Sequence, residues 1–401
     1  MGRTRVAQDH HRLGTAPLLR DHLSMHSVNW NYPTSIRFGC GRLAELDECC
    51  LSLGMKKPLL VTDAGLATLP LVTGVLEKHP HFGLFCDVRP NPVGANVSAG
   101  VEAYRQGNHD GVIAMGGGSA LDVGKAVALM VGQERPLWDF EDLGDNHKRV
   151  NQAGMAPVVA VPTTAGTGSE VGRCSVITDE STQTKRIIFH ARMLPGLVLA
   201  DPDTTLGLPP KITAAVGMDA LSHNLEAWFS PFHHPMADGI ALEGCRLVAR
   251  SLVKAYEDGS DRQARADMMA ASTMGAVAFQ KGLGAMHSLA HPIGALFDTH
   301  HGLTNAVVMP YVLAFNSPAI YERLERLARY LGVPSVLEWV LDLRKALGIP
   351  QTLQELGLPG DRMQEIAEKA VADPTAATNP IELTVENCRQ LLDNAYLGVL
   401  G

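Results

Sequence analysis

The sequence predicts a parallel α/β domain over residues 1–206, followed by an all-helical domain over residues 207–401. Three observations predict it. Through the first half, short apolar runs alternate with amphipathic stretches, the pattern of parallel strands joined by crossover helices. Two of these runs, GVIAM and PVVAV, lead straight into glycine-rich turns, GGGS and TTAGTGS, that open the next segment. At the proline-marked stretch Leu206–Pro210 the texture changes, and long segments with helical spacing replace the strand-like runs.

Taken in order, Lys57–Asp63 (KPLLVTD) reads as a buried strand, followed by a helix over LATLPLVTGVLEKH. Gly83–Val88 is a second strand and Ser98–Gln106 a helix. Gly111–Met115 is a third strand, running into GGGSALDVGKAVALMV, and Pro157–Val161 a fourth, leading into PTTAGTGSEV. Cys174–Ile188 reads as a polar hairpin, and Leu197–Ala200 as a last strand before DPDTTLGLPP. Beyond the boundary, ITAAVGMDALSHNLEAWF, ADGIALEGCRLVARSLVKAYEDG and ADMMAASTMGAVAF read as helices. The chain shows no internal repeat and no low-complexity segment.

The totals narrow the function classes. With 401 residues, 46% hydrophobic and 19% charged, the chain can bury a substantial core and has the composition of a soluble globular protein. A net charge of −8 argues against a nucleic-acid partner. No apolar run reaches the roughly 18 residues of a membrane span. The N-terminal MGRTRVAQDHHRLG lacks an apolar core and reads as a loose polar extension, not a secretory signal. Seven cysteines without CxxC spacing fit reduced packing thiols in a cytoplasmic protein.

Two turns carry nucleotide chemistry. In Met115-Gly116-Gly117-Gly118-Ser119 the glycines allow close backbone approach, and the helix N-terminus behind them offers free N–H groups and a positive dipole to a pyrophosphate. The pattern is GGGSxxDxxK, not the GxGxxG fingerprint, so alone it is equally a tight strand–helix junction. The second turn, Pro162–Glu170, sets Thr163, Thr164, Thr167 and Ser169 among glycines at the end of the next strand. Two such loops at adjacent strand ends meet in the crevice where open α/β sheets bind ligands, which favours nucleotide binding over a solvated loop. Asp63, ending the first strand, can accept from an adenosine ribose and repel a 2′-phosphate, favouring NAD over NADP; the plainer reading is a helix cap.

A second constellation lies further on. Asp219 and His223 stand at i and i+4 in MDALSHNLEAW, on one helix face. About sixty residues later, GLGAMHSLAHPIGALFDTHHGLTNAVVMP carries His287, His291, His300 and His301. Imidazoles with a carboxylate suit a borderline divalent ion, Fe²⁺ or Zn²⁺, better than Ca²⁺ or Mg²⁺. Spacing alone leaves the ligand set open, because His287 and His291 at i and i+4 also form a chelating pair.

The segments GGGSALDVGK, PTTAGTGSEV, MDALSHNLEAWFS and MHSLAHPIGALFDTHHGLTNAVVMP resemble, in order and spacing, those of the iron-containing (group III) alcohol dehydrogenases. The resemblance runs from about Asn29 to NPIELTVENCRQLLDNAY. It implies the architecture shared by that family and the dehydroquinate synthases: an N-terminal dinucleotide-binding α/β domain, an all-α C-terminal domain, and an active site between them. Carried over position by position, it implies metal ligands at Asp219, His223, His287 and His301, with His291 close to the metal but not bound to it. It places cofactor contacts on Asp63, Asn91, Gly118, Ser119, Thr163, Thr164 and Thr167, beside Gly117 of the glycine turn, and a nicotinamide-ribose lysine at Lys185. His300 has no assigned role, and His233 and His234 in SPFHHP read as structural. Gly172-Arg173-Cys174 departs from the family pattern; Arg173 either pairs with a substrate carboxylate or lies outward, the outward reading being the safer.

The expected activity is hydride transfer between NAD(H) and a small alcohol/aldehyde or ketone pair. The metal, Fe²⁺ with Zn²⁺ as the other candidate, acts as Lewis acid on the substrate oxygen. His291 is the expected proton carrier, since imidazoles exchange protons near neutrality. Two alternatives share the architecture: a hydroxyacid–oxoacid transhydrogenase holding NAD tightly, and a dehydroquinate synthase-like lyase. A phosphorylated substrate would call for cationic side chains by the metal, and the ligand segments are poor in them, Lys281 being the nearest in sequence. The expected partners are a small-molecule substrate and further copies of the chain, as a homodimer or larger, with no nucleic acid and no membrane.

Overall fold

The structure, a computed structural model, describes residues 31–400. The polar extension read over residues 1–14 and the start of the family resemblance at Asn29 lie outside the described residues.

Five short strands fall where apolar runs were read: β2 (Leu59–Val61), β3 (Gly83–Phe85), β4 (Val112–Gly116), β5 (Val158–Pro162) and β8 (Leu197–Ala200). With β1 (Ser35–Phe38) they form one six-stranded, all-parallel sheet in the order β1-β8-β5-β4-β2-β3. β1 was not read from the sequence. It is a four-residue edge strand, SIRF, with exposed ends and an arginine, so it shows no apolar run. β2 and β3 are shorter than the runs that marked them, because Asp63 turns away to cap the next helix and Val88 is followed by the Pro90–Pro92 turn. The helix read over LATLPLVTGVLEKH is two, α2 (Ala64–Ala67) and α3 (Pro70–Lys78), divided at Pro70, whose ring fits a first helical turn but not a helix interior. α4 (Gly94–Gln106) starts four residues before Ser98, where the Asn96 side chain accepts from Val93 N at 3.0 Å.

Side chains alternate across the sheet. Leu60, Ile113, Met115, Val159, Val161, Leu197 and Leu199 pack with α1 (Leu46–Ser52) and α3 on one face. Leu59, Val61, Val112, Ala114, Val158, Ala160, Val198 and Ala200 pack on the other, with α4 and α5 (Gly118–Met130). That second core does not stop at the sheet. It continues through α6 (Pro210–Phe229), α7 (Pro235–Glu257), α8 (Arg262–Ala278), α9 (Ala285–Phe297), α10 (His301–Leu331), α11 (Val336–Ala346), α12 (Met363–Ala372) and α13 (Val385–Leu397) as one apolar body. From Pro210 onward the described chain is helical, as the change of texture predicts.

The hairpin read over Cys174–Ile188 is β6 (Cys174–Asp179) paired antiparallel with β7 (Thr184–Phe189), separate from the main sheet. α10 is long and apolar enough to cross a membrane, with a mean hydropathy of 1.2, but 67% of that window is buried inside the protein, the setting of a core helix. It bends at Ile320, two residues after Pro318.

The chain leaves β2 for β3 on one side and returns to β4 on the other, so the direction of strand order reverses between β2 and β4. Ligands of open α/β sheets bind at the carboxyl ends of the strands flanking such a reversal. Asp63 and the GGGS turn both sit there.

Candidate metal centre and nucleotide cleft

α6 buries nearly its whole length, so Asp219 and His223, one turn apart, face the interior at 2% and 5% exposure. α9 brings His287 from a second side, also buried, and His301 is the first residue of α10. One ligating atom each from Asp219, His223 and His287 lies within 4.8 Å of the others, and His301 Nε2 is 3.6 Å from Asp219 Oδ1. All four expected ligands therefore converge.

Two of the three rings, His223 and His287, are turned by a partner on their far side. His223 Nδ1 is 3.3 Å from the Gly166 carbonyl, which leaves Nε2 for the centre. His287 Nδ1 is 2.6 Å from Glu226 Oε2, while Glu226 Oε1 accepts from Met286 N at 2.6 Å. A buried carboxylate behind a ligating histidine fixes its tautomer and orientation. Burial pushes His223 down to about 4 and His301 well below the ordinary range, so both rings are held in the neutral form that binds metals. At His287 burial is again the largest single influence, but the Glu226 charge and hydrogen bond, with the Asp219 and Asp373 charges, together outweigh it and the ring ends above its ordinary value.

The donor set fits a borderline divalent cation: three nitrogens and one oxygen, in a space nearly closed to water. Asn305 marks the focus. Its Nδ2 reaches Asp219 Oδ1 at 2.9 Å, His301 Nε2 at 3.2 Å and His287 Nε2 at 3.3 Å, so a polar N–H group lies against three acceptor lone pairs. Asn305 Oδ1 and His301 Nδ1 are buried without a hydrogen-bond partner.

His291 stands aside from the four. Its ring stacks on His301 at 5.5 Å, and its Nδ1 is 2.8 Å from Asp373 Oδ2. Asp373 is itself held, Oδ1 accepting from Thr375 N at 2.9 Å and Thr375 Oγ1 at 2.6 Å. Burial would raise this carboxyl, but His291 and Thr375 together hold it below its ordinary value. His291 and Asp373 open onto a cleft of about 450 Å³ that Lys185 and Lys369 also line. Lys185 lies against Gly294 of α9, and burial lowers its pKa despite the Asp219 charge.

The residues expected to contact the nucleotide gather at the strand ends. Gly116 takes φ +150°, and a Cβ there would lie 2.6 Å from Ala120 Cβ. A Cβ on Gly118 would lie 2.6 Å from Thr167 Cγ2, and one on Gly117 3.3 Å from Thr164 Cγ2, so the two loops are in direct contact. No side chain caps α5, whose first-turn amides are left for a ligand. Ser119 Oγ donates to the Pro90 carbonyl, bringing the Asn91 loop alongside. Asn91 Nδ2 donates to Asp298 Oδ1 at 2.6 Å, from the sheet half to the end of α9. Thr163 is buried, its N–H bonded to Gly116 O at 2.9 Å. Asp63 caps α2, Oδ1 accepting from Leu66 N at 2.9 Å, which is the plainer of its two readings and leaves it at the mouth of the same crevice.

Other expectations find different places. Asp122 and Lys125 of the glycine motif act as bolts: Asp122 accepts from Val176 N and Ser169 Oγ, and Lys125 donates to Ser169 O and Cys174 O, fixing the second loop and the hairpin to α5. The Arg173 guanidinium lies over Phe189. His234 and His300 cap α7 and α10. Lys281 is buried against Asp238 and the Trp228 carbonyl. Glu226 and Asp373 were missed. Glu226 shares the α6 face of Asp219 and His223, a signal legible in retrospect; Asp373 carries no local signal.

Comparison with known proteins agrees across the chain. The family described as iron-containing alcohol dehydrogenase matches residues 33–202, and its C-terminal family matches residues 213–396. The chain is 37% identical over 379 residues to a 4-hydroxybutyrate dehydrogenase of Cupriavidus necator, covering 91% of this chain and 98% of that one. It is 35% identical over 392 residues to a 1,3-propanediol dehydrogenase of Citrobacter freundii, covering 93% and 100%. A crystal structure of a 1,3-propanediol oxidoreductase superposes with a TM-score of 0.86 at 33% identity, over 92% of this chain and all of that one. The chain therefore belongs to the iron-containing alcohol dehydrogenases, and is an oxidoreductase that uses NAD and a metal to interconvert small alcohols and their carbonyl products.

Proposed function

We infer that the substrate is a short primary alcohol whose far end carries a second polar group, such as a hydroxyl or a carboxylate, and that the resident metal is Fe²⁺. The convergence of Asp219, His223, His287 and His301 carries the catalytic part of this reading. The cleft carries the substrate part. It is lined by apolar Val176, Ile187 and Pro292, with His291 and Asp373 among its walls and the polar Asp142 and Lys369 beside them. Two relatives named above act, by their names, on chains of three or four carbons with polar groups at both ends. Zn²⁺ suits the same donors, so the choice of iron rests on the family.

The metal, held by the four ligands, supplies a Lewis acid for the substrate oxygen, and NAD supplies the hydride acceptor. The chain does the rest. Glu226 and the Gly166 carbonyl keep two imidazoles turned inward, so the site is ordered before substrate enters. Asp373 holds His291 Nδ1, leaving Nε2 to take the hydroxyl proton and release it to the cleft. The α5 N-terminus and the Thr163–Thr167 loop receive the pyrophosphate, and Asp63 favours NAD over NADP. The seven free cysteines support a reducing, cytoplasmic setting.

The test is NADH formation by anaerobically prepared, Fe²⁺-loaded protein, across short alcohols, diols and ω-hydroxyacids. We expect turnover to depend on the metal and kcat/KM to be highest for the bifunctional substrates. Higher kcat/KM for simple unsubstituted alcohols would sink the substrate assignment. Bound NAD that never exchanges would revive the transhydrogenase, which no observation here favours.

A further inference from the structure

Outside the active site, three side chains converge as its ligands do. Asp47 lies in the first turn of α1, His79 closes α3, and His81 follows two residues later in the turn before β3. One ligating atom from each lies within 4.8 Å of the others. His81 Nε2 is 3.5 Å and His79 Nδ1 3.8 Å from Asp47 Oδ1. Donors on a shared tetrahedral ion with bonds of about 2.1 Å stand about 3.4 Å apart. The observed spacings are therefore close to those of ligands around one cation, and long for hydrogen bonds between the groups themselves. Asp219 and His301, in the catalytic set, stand 3.6 Å apart by the same measure.

The rings are held in place. His79 stacks on Phe82 at 4.8 Å and 16°, and His81 meets the same ring edge-on at 4.7 Å and 74°. Phe82 is anchored in the core beneath α1 and α3, so one buried ring orients both imidazoles. Pro80 between them restricts the backbone that separates them. His81 and Asp47 are about two-fifths exposed, which gives an ion access and leaves room for water as a fourth ligand.

We propose that Asp47, His79 and His81 form a second divalent-metal site, open to solvent and selective for a borderline cation such as Zn²⁺. Two imidazoles and one carboxylate make that choice, as in the catalytic set. The site belongs to the core on the sheet face away from the helical half, so it is separate from the catalytic centre. An ion there ties α1 to the α3–β3 turn. Its effect is on stability, not turnover.

The test measures total Fe and Zn per chain after the Fe²⁺-loaded enzyme is equilibrated with Zn²⁺ and freed of unbound metal. Two ions per wild-type chain are expected, and one in Asp47→Ala and in His79→Ala/His81→Ala, with kcat unchanged. Added Zn²⁺ should raise the thermal midpoint of the wild type and not of the variants. Should those variants misfold, His81→Gln, changed only at an exposed ring, gives the same comparison. A wild-type chain that stops at one ion overturns the proposal. So do variants that keep the second ion, because the ion then sits elsewhere.

Discussion

At the metal centre the Glu226 carboxylate accepts from the backbone of Met286 through one oxygen and faces His287 through the other. Counting it with Asp219, the buried charge around a divalent ion sums to zero, where the four ligands alone would leave +1. Removing the Glu226 charge should loosen the metal with little effect on the fold. We expect Glu226→Gln to lower metal affinity by about 10–100-fold, the range found for such supporting partners, measured by competition with a chelator. Unchanged affinity would make Glu226 a packing residue. The four candidate ligands sit in two compact segments, where helical spacing marked a cluster of possible donors and the family resemblance singled out these four. Their supports were not legible. Glu226 finds its partner 61 residues away and Asp373 finds His291 across 82, separations that only the folded chain closes.

Among the elements, apolar runs located five of the six strands of the parallel sheet, and prolines and caps decided where helices begin. β1 escaped because an edge strand needs only one neighbour and little apolar character. The Thr163–Glu170 loop was legible as a ligand loop, but its packing against α8 was not. Gly168 holds φ +62°, and a Cβ there would lie 2.3 Å from Ala276 Cβ. Gly168→Ala should therefore cost at least roughly 1–3 kcal/mol, read from urea unfolding; wild-type stability would show that the loop can move off α8. Lys281, just after α8, gives a pH signature. Burial, helped by the Arg323 charge, lowers it to about 8 from 10.5. The folded chain thus releases this proton before the unfolded chain does, so stability is flat below pH 8 and rises between about 8 and 10.5. Relative to Lys281→Met, the wild type should gain on the order of 3 kcal/mol over that window. Parallel stability profiles for the two proteins would show that Lys281 stays charged.

Over the whole molecule, one apolar core joins the α4–α5 face of the sheet to every α-helix of the second half. The sequence boundary near Leu206–Pro210 marks a change of secondary structure, and the core runs through it. Because the ligands come from three helices of this body, removing the metal should lower the midpoint of a single unfolding transition. Calorimetry with and without chelator tests this, and two separated endotherms would show that the halves melt independently. The Gly166 carbonyl has a consequence of the same reach. It belongs to the loop proposed to receive the pyrophosphate, and it also contacts His223. Settling that loop around a nucleotide steadies a metal ligand, and filling the metal site steadies the loop. Such linkage is reciprocal: the factor by which NAD tightens the metal is the factor by which the metal tightens NAD. A chelator should strip the enzyme more slowly when NAD saturates it, and calorimetric titrations run in both orders should close the same thermodynamic cycle.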